Sequence, residues 1–445
     1  MKYNNDLYVK HLQGVVQFPT VSNVDPDKLP TEEFLKMHAY LEEAFPLIHK
    51  TLEKEIMGKA ALVYHWKGTG KSNALPLVLI AHQDVVPEGD WAKWNFPPFS
   101  GHVDEEGLMV SRGCTDCKNT MIYEMEAVEA LIAEGFVPDY DIYLCFGYNE
   151  EIMGGPGAAC EIIVNTFKER GIQIGMLFDE GGGLSEKNGQ LVASVKFSEK
   201  GYADYEFYVE QNGGHAMMPP LHNSLGILGK AMYDLEANRM DYFLSEPAKV
   251  MMQATAKYQD APLDLYYSDP EKYFTELCAL AENNPYLNSL LRTTTTPTMA
   301  SGSAQANILP EKASVITNSR ILPGQTLEDL EAHFRKVLPE EVKFRKIKGH
   351  NPPIAQSVDN KEFELLSSVV REKYPDAVIL PAFIAGSTDS RYYCEICPTK
   401  AVYGFVGGFT SSKSKGAHAV NETLDTRFME SAVEFFVRII QGYGK

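Results

Sequence analysis

The 445-residue chain is 44% hydrophobic and 23% charged, too long for one ordinary core and apolar enough to bury two. Its 60 Asp and Glu outnumber 41 Lys and Arg, a formal net charge of −19, which argues against a phosphate-tracking surface and hence against a nucleic-acid partner. No run approaches the ~20 apolar residues of a membrane span, and the opening MKYNNDLYVKHLQG lacks the basic-then-apolar layout of a secretory signal, so a cytoplasmic protein without membrane association is expected. Seven cysteines are too sparse and too odd a number for a disulfide scaffold. Cys114/Cys117 and Cys394/Cys397 have CxxC spacing, but the pairs lie far apart with no finger or ribbon pattern around them, which argues against a structural zinc site.

In chain order, LPLVLIA (75–81) is a short apolar run without alternation, the pattern of a strand buried on both faces of a mainly parallel sheet. It stops at His82-Gln83-Asp84. Apolar residues at helical spacing predict a helix over Thr120–Glu134, closed by Gly135. YDIYLCFGY (140–148) reads as a second buried strand, stopping at Asn149-Glu150-Glu151. A helix follows over Glu161–Arg170, and IGMLF from Ile174 reads as a third strand, ending at Asp179-Glu180.

The texture changes near Glu199: ADYEFYVE (203–210) and SVITNSRIL from Ser314 alternate like half-exposed antiparallel strands, with helices expected over Leu225–Ala237 and Leu327–Val337. The Tyr-, Leu- and Pro-rich stretch 241–300 suggests further helices. A fourth buried strand, AVYGFV from Ala401, leads through a Gly/Ser/Lys-rich loop to His418, and a last helix is expected over Leu424–Gln441. Strands alternating with helices predict an α/β fold with a mainly parallel sheet. The expected layout is an α/β domain in two parts, 1–198 and 350–445, interrupted by a smaller α+β domain over 199–349.

The chemistry-bearing residues gather at strand ends: His82/Asp84, Asp116, Glu150/Glu151, Asp179 and, late in the chain, His418. Ligands of open α/β sheets bind beyond the carboxyl ends of strands, so these residues are expected to converge there. Imidazole and carboxylate donors suit zinc or a similar divalent ion, and five ligands suit a pair of ions sharing a carboxylate. Neighbouring Glu150 and Glu151 cannot easily turn to the same ion, so one is expected to bind metal while the other acts as general base. Asp84, two residues beyond His82, is placed to hold the imidazole.

The motifs HQDVVP (82–87), W followed by PPFSG (97–101), RGCTDCKN (112–119), NEE then GG (149–155), DEGG (179–182) and HAVNE (418–422) resemble the dizinc metallopeptidase family of aminoacylases, acetylornithine deacetylases and glutamate carboxypeptidases. Within it, SEKG (198–201), GGHAMMPP (213–220), RTTTTPT (292–298), NILP (307–310), SRILPGQT (319–326) and GSTDSR (386–391) are most similar to the carboxypeptidase S and N-fatty-acyl-amino-acid synthase/hydrolase branch. The order and spacing of so many motifs make the resemblance specific.

The resemblance implies a dizinc exopeptidase catalytic domain with an inserted lid or dimerisation domain. It implies two Zn2+ per subunit, with Co2+ or Mn2+ as substitutes. His82 and Asp179 would hold one ion, Glu151 and His418 the other, Asp116 would bridge, and Glu150 would be the base. His215 would stabilise the oxyanion from across a homodimer formed through 199–349. Asn307 and Arg320 would hold a substrate carboxylate, and Gly386, Ser387 and Arg391 would line the same pocket, with an Arg391–Asp389 ion pair as the alternative for the last. The implied reaction is hydrolysis of the amide of a short peptide with a free C-terminal carboxylate, or of an N-acyl amino acid in an aminoacylase or deacetylase manner. A non-catalytic relative would lack a ligand or the base, and none is missing. GGPGAA (154–159) and GGG (181–183) match neither nucleotide-binding fingerprint. Cys114 and Cys117 depart from the residues many relatives carry.

Overall fold

The computed structural model describes residues 3–152, 157–187, 189–411 and 413–445. The chain divides into two compact units, one comprising Met1–Phe197, Gln356–Ala382 and Thr388–Lys445, the other Ser198–Ala355 and Phe383–Ser387.

The first unit is built on a nine-stranded sheet with a parallel centre. Ile142–Gly147, Leu77–His82, Met176–Asp179 and Val402–Gly404 lie side by side and parallel. All six residues of each of the first two are buried, which explains why their sequences do not alternate. Glu53–Met57 and Ala61–Trp66 add antiparallel strands at one side, and Gln190–Glu199 with Gly183–Lys187 continue the other. Helix Lys118–Ala133 packs against strand Leu77–His82 and against the C-terminal helix Met429–Gly442. That last helix starts later than its apolar period suggests. Thr423–Asp425 is instead a strand, paired antiparallel with Leu108–Val110.

The second unit holds a four-stranded antiparallel sheet in the order Thr294–Ser301, Lys312–Ile321, Gly201–Glu210, Lys343–His350. Alternate residues of the two central strands, Ala203, Tyr205, Phe207 and Val209 with Ala313, Val315 and Ile321, form one core with Leu228, Ala231 and Leu235 of helix Ser224–Ala237 and Leu330 and Phe334 of helix Leu327–Val337. The period-2 pattern of the strands and the 3.6-residue pattern of the helices thus meet on one face. A capping box, Thr326 with Asp329, fixes the start of the second helix. Four more helices, Glu246–Thr255, Leu263–Ser268, Phe274–Ala281 and Pro285–Leu291, occupy the Tyr- and Leu-rich stretch.

Candidate active site

His82 ends its strand level with Gly147 of the neighbouring strand, and Glu150 opens a short helical turn three residues beyond that glycine. Glu180 follows directly on strand Met176–Asp179. The carboxyl ends of three parallel strands therefore deliver His82, Glu150/Glu151 and Glu180 to one edge. Asp116 and His418 arrive by another route: the pairing of Val110 with Thr423 continues as Ser111 N–H donating to Glu422 O at 3.1 Å, which brings two loops 300 residues apart in sequence together. A buried ion pair locks them. Arg112 Nη1 donates to Glu422 Oε2 at 2.7 Å, and the same carboxylate accepts from Gly113 N, Thr115 N and Thr115 Oγ1.

Asp116 stands at the centre. Its Oδ1 lies 2.9 Å from His82 Nε2 and its Oδ2 3.2 Å from His418 Nε2, while His418 Nε2 also lies 2.9 Å from Glu151 Oε2. Glu180 Oε1 is 3.5 Å from His82 Nε2. Burial alone would raise Asp116, but hydrogen bonds from His418 and His82 hold it well below the usual carboxylate range. Bonds to Asp116 and Glu151 push His418 up to about 10. Burial pushes Glu180 up to about 7, and it drives Glu150 well above the ordinary carboxylate value against the pull of His82. Glu151 Oε1 is buried and has no hydrogen-bond partner among the described residues. So many carboxylates around two imidazoles, one oxygen orphaned, fit a divalent cation or a pair of them.

Asp179 departs from expectation, and Asp84 and Arg391 make further contacts. Asp179 does not face the cluster: its Oδ2 accepts from Thr388 Oγ1 at 2.7 Å and lies 3.6 Å from Lys196 Nζ, and its Oδ1 caps Glu180 N at 2.8 Å. The next residue, Glu180, turns to His82, because neighbours in extended chain point to opposite faces. Gly404 makes room for this segment, since a Cβ there would sit 2.3 Å from Glu180 O. Asp84 meets the His82 ring mainly through its main chain, Nδ1 to Asp84 O at 2.9 Å, with the carboxylate 3.5 Å away. Its carboxylate instead accepts from Glu150 N and Glu151 N, both at 3.1 Å, and so pins the turn that carries the two glutamates. Arg391 folds back on its own turn: Nη1 donates to Thr388 O at 2.5 Å, Nη2 to Tyr392 Oη at 3.1 Å, and Asp389 Oδ1 lies 3.9 Å away, the contacts of the ion-pair alternative. Gly154 and Gly155 of the NEE–GG motif lie outside the described residues.

The remaining predicted residues belong to the second unit. A two-stranded ribbon pairs His215 with Ile308, and Asn307 O accepts from Ala216 N at 2.9 Å, so His215 and Asn307 become neighbours. His215 Nδ1 accepts from Met217 N at 3.1 Å, which leaves Nε2 to carry the ring's proton. Arg320 stacks on Tyr202, 4.7 Å from the ring centre, and donates to Asn318 Oδ1 at 3.1 Å. Ser387 Oγ lies 3.4 Å from His350 Nε2, and Gly386 precedes it in the same short segment. Sequence reasoning gave no role to Glu180, Arg112 or Glu422, although all three stand inside motifs that it singled out.

A family model, Peptidase family M20/M25/M40, matches residues 78–442. The chain belongs to that family. It is 31% identical to a probable carboxypeptidase S-like 2 of Dictyostelium discoideum, over 98% of this chain and 85% of that one. It is 30% identical to carboxypeptidase S of Saccharomyces cerevisiae, over 97% and 83%, and 30% identical to the N-fatty-acyl-amino acid synthase/hydrolase PM20D1 of Bos taurus, over 97% and 86%. Among solved structures, the M20 family metallo-carboxypeptidase Sso-CP2 of Sulfolobus solfataricus shares the fold with a TM-score of 0.73 at 17% identity, covering 98% of this chain and 99% of that one. As a member of the family the chain is a metal-dependent hydrolase with an α/β catalytic fold. Among the described residues no helix is long and apolar enough to cross a membrane.

Proposed function

We propose that the protein is a two-zinc exopeptidase or amidohydrolase that cleaves the amide of a short peptide with a free C-terminal carboxylate or of an N-acyl amino acid. The observation that carries this reading is the Asp116 carboxylate, which offers one oxygen to His82 and the other to His418, the arrangement of a bridge between two ions. His82 and Glu180 are the ligands proposed for one ion, Glu151 and His418 for the other, with Co2+ or Mn2+ as substitutes. Bound zinc would supply Lewis-acid polarisation of the scissile carbonyl.

Glu150 is the proposed base. Its turn is held by Asp84, and its raised proton affinity suits a group that takes a proton from water and returns it to the leaving amine. His215, with Nε2 as its donor, would hydrogen-bond the oxyanion. Arg320 and Asn307 would receive the substrate carboxylate, for which a planar guanidinium is well shaped, with Gly386 and Ser387 lining that pocket. A homodimer formed through residues 199–349 belongs to the same proposal and is favoured by the exposed Met217, Met218 and Leu221 beside His215. The names of the relatives support peptide and N-acyl amino acid substrates alike; an N-acyl-amino-acid deacylase is the second reading.

The test compares zinc-loaded, chelator-stripped and Glu150→Gln protein on dipeptides, on N-acetyl and N-fatty-acyl amino acids, and on the same compounds with the carboxylate amidated. Stripping should abolish hydrolysis, Glu150→Gln should lower it about 10²–10⁴-fold with zinc content kept, and amidation should weaken binding. Hydrolysis that survives both stripping and Glu150→Gln would sink the mechanism. A preference for acyl amino acids over dipeptides would select the deacylase reading.

A further inference from the structure

We propose that Cys117 is a thiolate ligand of the ion held by His82 and Glu180, so that this position combines nitrogen, oxygen and sulfur donors. The proposal rests on the two-metal reading above. Cys117 Sγ, a ring nitrogen of His82 and a carboxylate oxygen of Glu180 all lie within 4.8 Å of one another. Donor atoms on one tetrahedral zinc, with bonds of about 2.0–2.3 Å, sit about 3.5 Å apart, so the three would draw together by about 1 Å to share an ion. Cys117 is fully buried and His82 nearly so, so the thiol is shielded from solvent beside these donor atoms.

The Cys117 thiol lies against the main chain of His82, 3.8 Å from His82 O. His82 N–H donates to Cys117 Sγ at 3.1 Å, and a backbone N–H aimed at sulfur stabilises thiolate charge, as it does around metal-bound cysteines. Cys117 directly follows Asp116, so one short segment supplies both the shared carboxylate and the thiol. Cys114, the other half of the CxxC spacing, goes elsewhere: its Sγ lies 3.7 Å from Met109 O and from Glu422 O. The two thiols are thus not a pair, and only Cys117 belongs to the cluster.

Binding breaks the S–H bond, releases that proton to solvent and forms the S–metal bond, with no electron transferred. A soft donor favours zinc, cobalt or cadmium over manganese or magnesium, so the ion at His82 should be harder to replace with Mn2+ than the ion at His418.

The test loads apo-protein with Co2+, measures bound cobalt by elemental analysis and records the electronic spectrum. Two bound cobalt ions with a near-ultraviolet thiolate-to-cobalt charge-transfer band are expected. The band should be lost in Cys117→Ser and kept in Cys114→Ser. Two bound ions without the band in the wild-type protein would overturn the proposal while leaving the two-metal reading intact, and so would a band that persists in Cys117→Ser. Failure to bind cobalt or zinc at all would remove the two-metal reading and this proposal with it. The wild-type spectrum decides even if Cys117→Ser fails to fold.

Discussion

In the first unit, the cluster hangs from something rigid: His82, Glu150, Glu151 and Glu180 from the ends of three buried parallel strands, Asp116 and His418 from loops locked by the buried Arg112–Glu422 pair. In the second unit, His215 and Asn307 sit on an exposed ribbon two residues long, next to Met217, Met218 and Leu221, which solvent reaches freely. A site for highly charged ions needs donors fixed to within a fraction of an ångström. A residue that meets substrate only as charge develops can stand on a surface element. Damage to the first region should therefore appear in folding and metal content, and damage to the second in turnover alone.

Arg112→Met gives the sharpest break. It leaves the Glu422 carboxylate buried without its cation, which should cost about 3–5 kcal/mol in denaturant unfolding and lower metal content as well. If stability were unchanged, the rigid-loop account of the first region would be wrong. His215→Ala should do the opposite, lowering kcat about 10²–10³-fold, the cost of one oxyanion donor, with stability and bound zinc unaltered; a change confined to KM would contradict the role given to it.

His38 sharpens the comparison through pH. Its Nε2 is 2.7 Å from Gln83 Oε1, and Gln83 Nε2 in turn donates to Ala60 O and Phe146 O, behind the strand that ends in His82. Burial pushes His38 down to about 4, against about 6.5 in the unfolded chain. The unfolded state takes up the proton first, so this stabilisation is present above pH 6.5 and is lost as pH falls towards 4. The loss should reach on the order of 2–3 kcal/mol, and His38→Gln should flatten that part of the pH–stability curve; an equally steep curve in the variant would assign the slope to other groups.

The smallest expected effect on stability belongs to the exposed apolar residues. Met218→Lys with Leu221→Lys should move folding by no more than about 0.5 kcal/mol each but convert a dimer to a monomer in sedimentation. An unchanged sedimentation profile would remove residues 217–221 from the proposed interface.

Much of this was legible in the chain. The unalternating runs became the buried parallel strands, and helix Leu327–Val337 lies where its period placed it. The start of the C-terminal helix was not legible, because Leu424 is apolar for its place in a short strand paired with Leu108–Val110 rather than for a helical face. Nor was the choice within Asp179-Glu180: the rule that adjacent side chains diverge says that one of them faces the cluster but not which. Lys196 and Thr388, which claim Asp179, come from segments that no local pattern connects to it.

The sequence by itself determined the order of the elements, the donor types at the strand ends and the family, since periodicity and motif spacing are local properties of the chain. Only the tertiary structure decided that Glu180 rather than Asp179 turns to His82, that Arg391 is taken up by its own turn and that Cys117 joins the cluster while Cys114 does not. Each of these depends on which face of an extended segment meets its neighbour, and packing between residues far apart in sequence sets that face.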